Sequence, residues 1–403
     1  MSLPSPDLER PPDQEKPLDV AALRRARLAR LRRVLAEADC AGAVFFDPVN
    51  IRYATDVSNM QVWCLHNPAR YAFVATEGPV VVFEFPSCDH LAKAVEIVDE
   101  VRPARSWVHL MAGPRAAAET KAWAGELAEL VTLHGGGSRR LAADRLDWRG
   151  HLALQPHGID LCDGQRLAEE ARRIKGPGEL RAMREAIGHC EGGIARMRAA
   201  LAPGRSEQQV WSVLHQHNIA TGGEWIETRL LNSGPRTNPW YQEASDRVIG
   251  DGDLVAFDTD LIGRHGYCCD ISRTWICGEG RPSDRERRTY AQAHGLLQRL
   301  LRHLGPGVAL SELAARIGPP PEDYRVYSCL VHGVGLCDEY PVAFWSNDPG
   351  RYDAVLEPNM TLCAESYAGP RDGTAGVKLE EQVLITDRGI EVLSTCPFED
   401  DWL

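Results

Sequence analysis

The sequence predicts an α+β protein of two domains, and three observations carry that prediction. Short apolar strands alternate with helical stretches up to about residue 172. Gly176-Pro177-Gly178 then breaks the chain. Beyond it the pattern runs helix, helix, strands, helix, helix, strands, an outline of duplication with no sequence repeat behind it. The expected division is a flexible tail at 1–18, a small N-terminal α/β domain at 19–172 and a C-terminal domain at 173–403. At 403 residues the chain can fill two hydrophobic cores.

Each element follows from its own pattern. Residues 19–38, DVAALRRARLARLRRVLAEA, place Leu23, Leu28, Leu31 and Leu35 at helical spacing among arginines. AGAVFFDPVNIRYATDV is expected to give a buried strand, an Asp-Pro turn and a second strand. YAFVATEGPVVVFEF reads as a hairpin around Glu77-Gly78-Pro79. After the break, Leu180, Met183, Ile187, Ile194 and Met197 share one helix face, and Ser206 with Gln209 opens a second helix through a capping box. WIETRLLNSG and DLVAFDTDLIGRHGYCCDISRTWIC are strand-like. Ser283 with Glu286 caps a long helix to about 304, and LSELAARIG makes a short one. MTLCAESYAG and GVKLEEQVLITDRGIEVLST return to strand. VHGVGLCDEYP, residues 331–341, shows neither period. Either it packs passively, or its glycines let the backbone wrap something that His332 and Asp338 must touch.

Composition narrows the function. A net charge of −12, from 57 acidic and 45 basic residues, argues against nucleic acid or an anionic membrane as the main partner. MSLPSPDLERPPDQEKP lacks the apolar core of a signal peptide, and no apolar run reaches the roughly 20 residues of a membrane span, so a cytosolic protein is expected. The 12 cysteines have irregular spacings without a C-x-x-C, so reduced core thiols are expected rather than disulfides or a thiolate zinc site.

Carboxylates stand where strands disfavour them. LVAFDTDLIG puts Asp258 and Asp260 two apart, so on a strand both face one side. Asp270 is expected on the return strand, while Glu365 and Glu380 sit within apolar strand patterns. Singly, each reads as a solvated strand end, and His332 as a satisfied core histidine. Together they need counter-charge, and no cluster of Arg or Lys is evident in the sequence. Two divalent cations would supply it: oxygen-rich sites with one imidazole suit Mn, Fe(II), Co or Zn, and bridging carboxylates suit a pair.

The order Asp, Asp, His, Glu, Glu resembles the pita-bread superfamily of methionine aminopeptidases, prolidases and creatinase. RRIKGPGELRAMREA is similar to its domain junction, and FDTDLIGRHGYCCDISRT, VHGVGLCDEYP, CAESY and GVKLEEQVLIT to its metal segments. The resemblance covers residues 172–395 and, more loosely, the N-terminal part; it implies a creatinase-like α/β domain followed by a pita-bread catalytic domain. Peptidases of this superfamily carry two substrate-contacting histidines. Here Pro239-Trp240 and Asp338 stand in those regions. GPRTNPWYQE, the extra aspartate of DTD, and HGVGLCDEYP instead resemble dimethylsulfoniopropionate lyases of the pita-bread type.

That resemblance implies two divalent ions, iron in the family, with manganese or zinc tolerated by the same donors. It implies Asp258, Asp260, Asp270, His332, Glu365 and Glu380 as ligands, Asp338 as general base and Tyr327 as a pocket tyrosine. It also implies a homodimer in which the partner's N-terminal domain supplies aromatics; Trp63 is the candidate. Trp240 and Tyr241 are further candidates for a cation pocket, read level with plain packing. The expected reaction is elimination of dimethyl sulfide and acrylate from dimethylsulfoniopropionate, with no nucleic-acid or membrane partner. The alternatives are an Xaa-Pro metallopeptidase, or a related enzyme, metal-free as creatinase is, acting on another small cation.

Overall fold

The N-terminal half is built on a helix that the arginine-flanked leucines make amphipathic. Helix Val20–Glu37 is capped by Asp19, whose side chain accepts from Ala22 N at 2.9 Å, and it buries Leu23, Leu28, Leu31 and Leu35. The computed structural model describes residues 17–373 and 375–403; residues 1–16 of the expected tail lie outside them. The strands β1 (Gly42–Phe45), β2 (Tyr71–Ala75), β3 (Val80–Glu84), β4 (Glu100–Pro103), β5 (Arg140–Ala143) and β6 (Asp160–Asp163) form one sheet, ordered β4-β3-β2-β1-β5-β6. β2 and β3 make the expected hairpin. The second strand expected after Asp47-Pro48 is instead a helix, Pro48–Thr55. The pair is a helix start rather than a turn: Asp47 accepts from Val49 N at 2.7 Å, and Pro48 takes a first-turn position where no N–H is needed.

Helix Gly164–Arg172 leads to the break, and Gly176 caps helix Pro177–Ala200, with the Glu179 carboxylate accepting from Gly176 N at 2.7 Å. Met183, Ile187, Ile194 and Met197 are buried along it, Leu180 partly. Both capping boxes form, Ser206 with Gln209 and Ser283 with Glu286, opening helices Glu207–Ala220 and Asp284–His303. The strands that follow are β7 (Trp225–Ile226), β8 (Leu231–Ser233), β9 (Leu254–Asp258), β10 (Leu261–Ile262), β11 (Cys268–Cys269), β12 (Ser272–Ile276), β13 (Tyr324–Arg325), β14 (Cys329–Val334), β15 (Asp338–Phe344), β16 (Thr361–Pro370), β17 (Val377–Thr386) and β18 (Gly389–Val392). They make two small sheets, β11-β10-β7 and β12-β9-β8, and a larger one, β15-β14-β16-β17-β18, with β13 beside β16. Tyr290, Leu297 and Leu300 of the long helix pack on Leu362 and Leu379 of that sheet.

VHGVGLCDEYP is a hairpin, β14 and β15, although it reads as neither strand nor helix. Its glycines explain the missing pattern. A Cβ on Gly333 would stand 2.6 Å from Tyr340 O, and one on Gly335 2.4 Å from Glu339 Oε1. They let the partner strand and its Glu339 carboxylate approach closely. All 12 cysteines are free thiols, eight of them buried. Among the described residues no helix is long and apolar enough to cross a membrane.

Candidate metal centre

Strand register gathers the expected ligands. Glu365 on β16 lies directly opposite Glu380 on β17, and His332 on β14 opposite Cys363 on β16. Asp258 ends β9 opposite Ser272, and Asp270 stands between β11 and β12. The pairing of Asp258 and Asp260 differs from the expectation. β9 stops at Asp258, and Asp260 takes a left-handed φ of 36°, so the two do not share a strand face by pleat. Thr228 Oγ1 donates to Asp260 Oδ2 at 2.6 Å and fixes that carboxylate. Asp260 nonetheless reaches the cluster.

Three overlapping groups result: Asp258, Asp260 and Asp270; Asp258, Glu365 and Glu380; and Asp270, His332, Cys363 and Glu380. In each, the donor atoms lie within 4.8 Å of one another. His332 Nε2 faces Glu365 and Glu380 at 3.6 Å and Asp270 at 3.8 Å, beyond hydrogen-bonding distance. Its Nδ1 lies 3.0 Å from Gly333 O, a contact that leaves Nε2 as the donor atom toward a cation. Glu365 Oε1 and Glu380 Oε1 are buried with no hydrogen-bond partner. Orphaned carboxylate oxygens facing an imidazole nitrogen across a gap too long for a hydrogen bond fit divalent cations between them.

Counter-charge is also present, contrary to the sequence reading. Lys378 Nζ lies 2.9 Å from Asp258 Oδ2, 2.9 Å from Glu365 Oε2 and 2.7 Å from Glu380 Oε2. Ser272 Oγ joins the same knot, 2.7 Å from Asp258 Oδ1 and 2.8 Å from Glu380 Oε2. The signal was there: Lys378 precedes Glu380 by two, so the pleat points both to one side. Cys363 was also missed; burial and the nearby Glu380 and Asp270 charges raise its thiol well above the ordinary range, so it is no match for the carboxylates as an anionic donor.

The electrostatics follow from crowding. Burial and the Asp258 charge push Asp260 up to about 8, and burial with Asp260 and Glu380 raises Asp270 well above the carboxylate range. Glu365 rises to about 7, chiefly by burial. Glu380 goes the other way: burial would raise it, but Lys378 and His332 pull it below its usual value. The knot therefore holds Glu380 as an anion and leaves Asp260, Asp270 and Glu365 short of positive charge.

Asp338 opens β15 beside the cluster. Its Oδ1 lies 3.4 Å from His332 Nδ1, while its side chain is 62 % exposed, so it sits at the open mouth and not in an enclosed chamber. Burial, Glu380 and Asp258 raise its carboxyl against the opposing pull of His332. Trp240, Tyr241 and Tyr327 line a cavity of about 400 Å³ together with Tyr367, Arg325 and Arg371. Tyr241, with a left-handed φ of 70°, sets its ring 5.1 Å from Tyr327. Burial and the Glu365 charge both raise the Tyr327 hydroxyl, and none of the six donors, nor Asp338, lines this cavity. Trp63 does not join it: on helix Gln61–His66 its ring packs 5.4 Å from Phe85 and stays 37 % exposed.

The profile of metallopeptidase family M24 matches residues 181–387, just over half of the 403 residues. The chain belongs to metallopeptidase family M24. Within it, the dimethylsulfoniopropionate lyase DddP of Roseovarius nubinhibens is 42 % identical over 390 residues, which cover 94 % of this chain and 87 % of that one. The protein of the same name from Roseobacter denitrificans is 41 % identical over 392 residues, with the same coverage. Among solved structures, an Xaa-Pro dipeptidase from Bacillus anthracis superposes with a TM-score of 0.74 at 23 % identity, over 93 % of this chain and 98 % of that one. The M24 chain described here is thus an enzyme with the two-domain pita-bread fold, and it carries a candidate metal-binding cluster.

Proposed function

We propose that this M24 enzyme is a metal-dependent carbon–sulfur lyase that cleaves dimethylsulfoniopropionate to dimethyl sulfide and acrylate. The observation that carries the reading is Asp338: a carboxylate 3.4 Å from His332, beside the cluster but outside the three donor groups, where peptidases of the superfamily place a histidine. The likeness to lyases at 42 % identity supports it.

Asp258, Asp260, Asp270, His332, Glu365 and Glu380 would hold two divalent ions, iron in this reading, which supply Lewis acidity toward a substrate carboxylate. Asp338 takes the proton from the carbon next to that carboxylate. The C–H pair becomes the new double bond, the C–S bond breaks, and its pair leaves on sulfur as neutral dimethyl sulfide. Tyr327, Tyr241 and Trp240 offer aromatic faces to the sulfonium, each worth about 0.5–2 kcal/mol. The exposure of Asp338 in the single chain fits a homodimer in which helix Gln61–His66, with exposed Met60, Val62, Trp63 and Leu65, covers the partner's mouth. A cytosolic location and a domain boundary at 172/173 belong to the same reading.

The M24 profile and the dipeptidase-like fold favour one rival, an Xaa-Pro peptidase. Headspace detection of dimethyl sulfide from metal-analysed protein, beside cleavage of an Xaa-Pro dipeptide, decides between them; peptide turnover with no volatile product refutes the lyase. In the lyase, Asp338→Ala keeps its fold and metal content while turnover falls by about 10²–10⁴. Loss of metal in that variant would reassign Asp338 as the group that orients His332.

A further inference from the structure

Glu339 follows Asp338 on β15 and points to the opposite side of the strand. It is 4 % exposed, and its carboxylate takes three donors: Arg172 Nε at 3.0 Å, Lys175 Nζ at 2.7 Å and Leu336 N at 3.2 Å. Arg172 and Lys175 both come from the segment joining the two halves of the chain, and both are buried. Arg172 also bonds Asn50 Oδ1, and Asn50 Nδ2 donates to Asp144 Oδ2 at 2.7 Å. A continuous buried polar chain therefore runs from the N-terminal sheet to the residue beside the base.

The chain also fixes the hairpin turn. The Glu339 carboxylate lies where a Gly335 Cβ would be, and Gly335 O accepts from Cys268 N at 2.7 Å, two residues before Asp270. One buried anion thus ties the linker, the turn and the Asp270 segment to the start of β15. Burial would raise the Glu339 carboxyl, but Lys175 and Arg172 hold it below its usual value, so it remains an anion. Buried ion pairs add little net stability compared with apolar packing; holding a defined geometry is the role such a clamp can serve.

We propose that Glu339, clamped by Arg172 and Lys175, is a positioning residue that sets where the Asp338 carboxylate stands beside His332. The inference rests on Asp338 acting as the base.

The test uses the full-length, metal-loaded enzyme and dimethylsulfoniopropionate. Gly335→Ala displaces the Glu339 carboxylate without removing a charge. Glu339→Gln with Lys175→Met removes one charge from each side and leaves the Arg172 guanidinium on neutral partners, an amide at position 339 and Asn50. In both, kcat per metal-loaded site falls roughly ten- to a hundredfold, as misplacement of a reacting group by about 1 Å does, while KM and bound metal stay at wild-type levels. Asn50→Ala, which frees Arg172 from its other anchor, shows a smaller fall of the same kind and stands in if either variant does not fold. A merely structural role lowers the melting temperature and the yield of folded protein but leaves kcat per loaded site unchanged; that result overturns the inference. Asp338→Asn runs in parallel. If it keeps turnover, the base assignment fails. If it is inactive while the Glu339 and Gly335 variants turn over like wild type, only the positioning inference fails.

Discussion

Lys378 shows how much one residue decides in this centre. Its ammonium touches three carboxylates, and burial, which would lower its pKa, is outweighed by Asp258, Glu365 and Glu380, so it stays charged. Removing one partner of a buried ionic knot leaves uncompensated charge and costs about 3–5 kcal/mol. Lys378→Met is therefore expected to destabilise the chelator-treated protein by roughly that amount, read from the shift of its urea transition. Restored divalent ions supply the missing positive charge, so the gap to wild type narrows in the metal-loaded protein. An equal loss with and without metal would show that the lysine serves packing alone.

At the scale of elements, the ends of β1 and β5 depend on one carboxylate. Asp144 accepts from Phe46 N, Asp47 N and Asn50 Nδ2, and burial pushes its carboxyl from 3.8 up to about 6. A raised carboxyl makes the folded state hold a proton that the unfolded chain has released. Its contribution is complete below 3.8 and is lost as pH rises through about 6. The loss is on the order of 3 kcal/mol. Asp144→Asn should flatten this part of the pH profile of unfolding free energy, compared with wild type in parallel denaturant titrations. An unchanged slope would place the titrating group elsewhere. The elements that the sequence concealed lie close by, and each has a local cause. Asp47 with Pro48 starts a helix because the aspartate caps it and proline tolerates its first turn. The β14–β15 hairpin hid because Gly333 and Gly335 interrupt its alternation where Tyr340 O and the Glu339 carboxylate come close.

Over the whole molecule, the proposed homodimer sets the exposed apolar residues of helix Gln61–His66 against the open mouth at Asp338 of the second copy. In the proposed dimer Trp63 acts on the partner's site, so Trp63→Ala and Asp338→Ala each inactivate the enzyme by different halves of one site. Mixed and reassociated, the two inactive proteins should recover roughly a quarter of wild-type turnover, because half the dimers are mixed and each mixed dimer holds one intact site. Dimethyl sulfide release from the mixture measures this. No recovery, with light scattering confirming exchange, would confine Trp63 to its own chain.

The sequence by itself determined the strand and helix order of the C-terminal half, both capping boxes, and six polar residues that the fold brings together. These rest on local periodicity, on hydrogen-bonding chemistry within one turn, and on the cost of placing carboxylates in apolar strands. Only the tertiary structure decided that Lys378 neutralises part of that cluster, that Asp260 enters it from a left-handed bend, that Asp338 stands at its rim, and that Glu339 is clamped from the linker. Those facts depend on cross-strand register and on side chains more than a hundred residues apart converging in space, and no short-range pattern encodes such convergence.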